Sequence, residues 1–256
     1  MVVCRAMIVH SEGAGDAGGS SLRLVTQPDH AHFSGELLGL WRTDGLPDHP
    51  RRAEILFAGR EHDNGWREAD AAPRWDAGAP GGGRPHDFIS MPRAERIAIW
   101  ERGTARFAGS HPYAALLITR HAQTLHHDHR GDPDPDWRDF FAYLDELESG
   151  LFTADAIGGR EVTAAEVTAD YRFVDLADLA SLAVCAQWDE PFERHGLRGF
   201  FRDGTLHLDP FPLAGATAFA IPCRRIPGRP YRGDADLGGE LAAARWEELR
   251  VRVAPL

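Results

Sequence analysis

Three short stretches of this chain hold residue types that bind metal ions. His30 opens a run with helical spacing, and the dipeptide His62–Asp63 closes a second such run. Asp178 lies inside the apolar string Val174-Asp-Leu-Ala-Asp178-Leu-Ala-Ser-Leu. Imidazole and carboxylate ligands together suit iron, manganese, zinc or magnesium, with iron and manganese favoured by a mixed N/O set. Adjacent helical residues are about 100° apart, so His62 and Asp63 can approach one ion from two directions. An ionised group buried without a partner among apolar side chains costs several kcal/mol, and coordination of a cation is one remedy. Each residue also has an ordinary explanation. His30 could be an exposed helix-start residue, His62 a core histidine bonded to a carbonyl, and Asp178 the partner of an arginine such as Arg172. The joint pattern points to a site for one or two divalent transition-metal ions.

The elements that must position these residues are visible as periodicities. Thr26-Gln-Pro-Asp29 has the form of a capping box with proline in the first turn, opening a helix that runs to Trp41. In residues 51–63, Ile55, Gly59, His62 and Asp63 follow i, i+4, i+7, i+8 spacing, which places His62 and Asp63 on the buried side. Asn64-Gly65 then reads as a helix stop. Further helices are expected at 91–107, at 112–126 with His121 on the apolar stripe, at 136–147, and around 171–186 with Tyr171, Val174, Asp178, Leu182 and Cys185 along one side. Residues 64–90 lack periodicity and are rich in Gly, Pro and Trp, which predicts either a functional lid or a surface insertion. Period-two alternation marks strands at 205–208, 216–221 and 248–253, and two more flank a Gly-rich turn at 13–19. The expected fold is mainly α: a helical core over 26–190 with a small antiparallel β part from 7–25 and 200–256, α+β overall. The expected organisation is a single domain over 1–256.

Composition narrows the chemistry. With 43% apolar and 26% charged residues, the chain reads as a soluble globular protein. A formal charge of −11 argues against a nucleic-acid partner but leaves room for a small anionic substrate. All 28 basic residues are arginine, which excludes Schiff-base chemistry and a lysine-containing phosphate loop. Three separated cysteines offer neither a disulfide framework nor a zinc ribbon. The tract His126-His127-Asp128-His129 precedes a Gly/Pro loop and reads as solvated surface. Gly81-Gly82-Gly83 follows no strand, and no nucleophile elbow occurs. The N-terminal stretch is too interrupted for a signal peptide or a membrane span, with Met7 an alternative start. A cytoplasmic protein is expected, and a homo-oligomer is compatible with the chain.

The order His30, His62–Asp63, Leu176-Ala-Asp178 resembles the HD-domain superfamily. The strings Leu24-Val-Thr-Gln-Pro-Asp-His30, His62-Asp-Asn-Gly-Trp66, Phe88-Ile-Ser-Met-Pro92 and Tyr113-Ala-Ala-Leu-Leu-Ile-Thr-Arg-His121 are similar to an uncharacterised bacterial family of unknown function. The superfamily resemblance implies a metal-dependent phosphohydrolase acting on a phosphomonoester, nucleotide or phosphodiester, with a metal-activated water as nucleophile. It implies His30, His62, Asp63 and Asp178 as metal ligands. His121 would be a second-metal ligand or proton donor, and Glu61 an orienting group or base. Arg67 and Arg120 would meet the substrate anion, with Trp66 and His111 also on the substrate. Two alternatives share the scaffold: a di-iron oxygenase acting on a small molecule, and a non-catalytic metal or nucleotide sensor. The tryptophan-bearing stretch after His–Asp and the C-terminal strands depart from the superfamily pattern.

Overall fold

The computed structural model describes residues 7–13, 20–79, 82–87, 90–153 and 162–256. Most of the expected Gly-rich turn at 13–19, Cys4, Gly81 and part of the Phe88 motif lie outside the described residues. Two strands, β1 (Ile8–Glu12) and β2 (Ser21–Val25), lead into helix α1 (Gln27–Leu40). Thr26 caps α1, its side chain accepting from the Asp29 N–H at 3.1 Å, with Pro28 in the first turn. Helix α2 (Arg52–Glu61) follows, then a 3-10 turn at Asn64–Trp66 and the short α3 (Arg67–Ala71). A two-residue pairing of β3 (Trp75–Asp76) with β4 (Arg84–Pro85) crosses the stretch read as a loop. Helices α4 (Arg93–Ala105), α5 (Pro112–Leu125), α6 (Pro135–Thr153) and α7 (Ala164–Cys185) come next. Thr163 and Glu166 form a reciprocal capping box that starts α7.

The expectation of a mainly helical protein with a small β part is overturned by the remaining elements. Strands β5 (Phe192–Arg194), β6 (Leu197–Arg202), β7 (Thr205–Asp209), β8 (Thr217–Pro227) and β9 (Trp246–Pro255) join β1 and β2 in one seven-stranded sheet. Its order is β1-β2-β8-β9-β7-β6-β5, with helix α8 (Asp234–Ala243) between β8 and β9 in sequence. The sheet is mixed, because β7 and β9 run parallel while the other neighbours run antiparallel. Two local features hid its size. Pro222 interrupts the pattern of β8, since proline cannot donate to a ladder. The first residues of β9, Trp246-Glu-Glu, are all exposed, so no alternation marks the start of the strand.

The sheet is a wall of the core rather than an attachment to it. Val25, Phe219, Ile221, Val251 and Val253 share one buried cluster with Phe33 and Leu37 of α1 and Phe173, Ala177 and Val184 of α7. Side chains alternate across a strand, so Leu22, Leu24 and Ile226 face the other way, where Leu237 and Leu241 of α8 cover them. Helices α2 and α5 pack behind α1 and α7, and α4 and α6 flank α5. α7 is therefore buried on nearly every side, and its Asp170, Asp175, Asp178 and Ser181 are buried with it. Among the described residues no helix is long and apolar enough to cross a membrane.

Candidate metal centre

Four elements bring their functional side chains to one point. His30 lies in the first turn of α1, His62 and Asp63 follow the last turn of α2, His121 is on α5, and Asp178 is midway along α7. The turn after α2 is fixed by its own sequence. The Asn64 side-chain amide donates to the Glu61 carbonyl at 2.8 Å and to the Gly103 carbonyl at 3.0 Å, so one side chain closes α2 and ties it to α4. Gly65 serves this approach rather than a left-handed helix stop. A Cβ there would stand 2.2 Å from the Ile99 carbonyl oxygen and 3.1 Å from the Gly103 Cα.

The protonation pattern of the two histidines follows from their outer bonds. His62 Nδ1 is 2.8 Å from the Gly59 carbonyl, which can only accept, so Nδ1 carries a hydrogen. His30 Nδ1 is 2.8 Å from Ser181 Oγ, whose own proton goes to the His30 carbonyl at 2.8 Å, so that nitrogen also donates. Neutral rings held this way present Nε2 lone pairs, and these face each other at 3.1 Å. Asp63 Oδ2 stands 2.9 Å from His30 Nε2 and 3.6 Å from His62 Nε2. Asp178 Oδ1 stands 3.5 and 3.3 Å from the same two atoms. With both rings neutral these four atoms are all acceptors, and only a proton on His62 Nε2 or a shared cation relieves their repulsion. Ligands about 2.1 Å from a common ion lie about 3.0 to 3.4 Å apart in octahedral or tetrahedral geometry, so the spacings among His30, His62 and Asp178 suit one cation, with Asp63 beside them.

Electrostatics demand the same charge. Burial opposes a charged His62, yet Asp63 and Asp178 outweigh it and raise its pKa to about 9. Burial likewise works against the Asp178 carboxylate, but the hydrogen bond and charge of His62 hold it well below the usual range. His121 shifts the other way: burial, then the neighbouring charge of His62, lowers its pKa. Its Nδ1 is 3.0 Å from the Tyr171 hydroxyl, which leaves Nε2 for the centre. His30, His62 and Asp178 form one group able to hold a metal ion, and His62, Asp63 and His121 form an overlapping second. The pocket beside them is lined by Gln27, Trp66, Trp100, Leu125 and Leu182. It encloses about 10 Å³, roughly the space of one water molecule.

Other residues singled out from sequence stand elsewhere. The Glu61 carboxylate is taken by Arg67 at 2.5 Å. Arg120 is turned to Glu148 of α6 at 2.6 Å. His111 caps α5 at the surface, its ring stacked 4.0 Å from Phe57. Trp66 does line the pocket. Arg172 is not the partner of Asp178, because its guanidinium donates to the Asp44 carbonyl. Ser181, Tyr171 and Trp100 were not identified as functional from sequence. Ser181 follows Asp178 by three residues on the same helix, a spacing that places both on one face.

A buried histidine–aspartate centre held between α1, the end of α2, α5 and α7 is the arrangement this chain defines. Residues 7–227 match the model of a family described as protein of unknown function (DUF3891), and the chain belongs to that family. No curated protein and no solved structure matches it.

Proposed function

We propose that the protein is a metal-dependent hydrolase that uses a metal-activated water, with a phosphoester as the bond that the HD-like residue pattern implies. The observation that carries this reading is the buried cluster of the His30 and His62 Nε2 atoms with an Asp178 carboxylate oxygen, with Asp63 Oδ2 2.9 Å from His30 Nε2. His30, His62, Asp63 and Asp178 would hold the ion. A divalent ion in such a set supplies a bound water of lowered pKa and a Lewis acid at the scissile group. Ser181 and the Gly59 carbonyl fix both ring tautomers, keeping Nε2 aimed inward. Trp66, Trp100, Leu125 and Leu182 exclude bulk water, which strengthens every charge interaction inside. His121, kept neutral by burial, would accept a proton at Nε2 with its Nδ1–H donating to the Tyr171 hydroxyl. Arg67 and Arg120 are already engaged by Glu61 and Glu148, so charge on a phosphoryl group would be met by the ion itself.

The overlapping group of His62, Asp63 and His121 favours a second reading, a two-iron oxygenase. The deciding experiment loads the protein with manganese, cobalt or iron. Release of 4-nitrophenol from its phosphate monoester or diester, dependent on manganese or cobalt, supports the hydrolase. Two irons per chain with oxygen uptake and no ester cleavage supports the oxygenase and rejects the hydrolase.

A further inference from the structure

A second cavity of about 330 Å³ lies against α3 and α4. Its floor is apolar, formed by Met7, Ala69, Met91 and Ile99. Trp66 packs against the last three of these. The same indole lines the metal pocket beside Asp63, His121 and Asp178. Trp66 therefore lies between the metal pocket and the floor of the cavity. Gln27 is the other bridge: it lines the metal pocket, and its backbone N–H donates to Asp70 Oδ2, on the cavity side, at 2.6 Å. A pocket of about 10 Å³ can hold a water but no substrate body. A cavity of a few hundred Å³ is of small-molecule size, and this one sets Glu68, Asp70, Arg74, His86, Glu95 and Arg102 around its apolar floor.

We propose that this cavity is the substrate chamber of the metal centre, that Trp66 is the movable partition between them, and that the chamber takes the uncharged, largely apolar part of the substrate. The assignment rests on the metal-hydrolase reading above. Trp66 stands behind the floor residues Ala69, Met91 and Ile99, so a rotation of the indole that displaces them is the motion that would join the two volumes. Charge at the rim argues for an apolar guest. Arg74 grips Glu95 through two contacts of 2.7 and 2.6 Å. Arg102 holds Glu68 at 3.0 Å and donates to the Gly65 carbonyl at 2.7 Å. A polyphosphate entering here meets guanidinium groups whose charge carboxylates already balance. A phosphoester of a small apolar alcohol fits the chamber better than a nucleotide.

The test uses cobalt-loaded protein, with azide as a probe whose ligation changes the cobalt absorption spectrum. Trp66→Phe thins the partition, and azide should ligate about tenfold faster than in the wild type, the effect of a gate made easier to open. Ala98→Trp places bulk in the chamber from an exposed position on α4, which the fold tolerates, and ligation should slow about tenfold. Added 4-nitrophenol should slow azide in the wild type but have no further effect in Ala98→Trp. A chain that takes up no cobalt overturns the metal reading itself. Cobalt uptake with equal azide rates in all three proteins, or 4-nitrophenol acting equally on Ala98→Trp, overturns the chamber assignment alone.

Discussion

Replacing Ser181 with alanine removes one oxygen that touches no proposed ion, yet it should weaken metal binding. The fully buried Ser181 hydroxyl accepts from His30 Nδ1 and donates to the His30 carbonyl, both at 2.8 Å. Without it the carbonyl keeps a contact with Ser34 Oγ at 3.2 Å, but the imidazole loses the group that holds its proton on Nδ1. Loss of such an outer partner costs about 10- to 100-fold in metal affinity, or about 1.4 to 2.8 kcal/mol. The stranded Nδ1–H adds about 1 to 3 kcal/mol of lost folding stability. Competition of Ser181→Ala against a chromophoric chelator reads the first quantity, and urea unfolding in excess chelator reads the second. If affinity stays within about threefold of wild type, a difference of about 0.7 kcal/mol, while stability falls, then Ser181 only fills space. The tautomer argument would then be wrong.

His126 gives a pH signature away from the centre. Burial pushes its pKa down from 6.5 to about 4, with Arg96 and His129 adding to the shift. A lowered histidine pKa means that stability is full above about 6.5 and is lost as pH falls toward 4, by about 3 kcal/mol. In His126→Phe, whose ring would stay among Trp100, Trp137 and Phe140, urea midpoints at pH 7 and 4.5 should lie closer together than in wild type. An unchanged gap contradicts this. Gly65→Ala forces a Cβ against the Ile99 carbonyl and should cost about 3 kcal/mol, with metal binding weakened in the same protein. Full stability by calorimetry would refute the close-approach reading. Arg67→Ala strips the buried Glu61 carboxylate of its closest cation and should cost about 1 to 3 kcal/mol of stability while leaving metal content unchanged. Loss of the metal in that variant would return Arg67 to the site.

Much of the centre was legible because its residues obey helical spacing. Thr26 to Asp29 announced the start of α1 and so the height of His30, and the stripe on α7 singled out Asp178 as an acid that needed a partner. Helical phase also explains two residues that went elsewhere. Arg120 adjoins His121 but lies about 100° around α5, which turns it toward α6. His111 precedes the first turn of α5 and stays at the surface. The sheet was harder to read because its pairings are distant. β7 lies between β6 and β9, and no local pattern announces a parallel partner some 45 residues along the chain. One local clue was present: Asp203 and Gly204, both with positive φ of 48° and 73°, make the tight turn between β6 and β7 that Asp-Gly favours. Helix α8 escaped notice because Gly238 and Gly239 lower its intrinsic helix propensity.

The central claim is that four acceptor atoms on His30, His62, Asp63 and Asp178 share a metal ion. Elemental analysis of the wild type beside Asp63→Ala and Asp178→Ala, each purified mildly and after reconstitution with iron, manganese or zinc, tests it most directly. The expected result is one or two transition-metal ions per wild-type chain and loss of the ion in both variants while the fold persists by circular dichroism. A wild-type chain that holds no metal after reconstitution, or variants that bind it as tightly, would contradict the account.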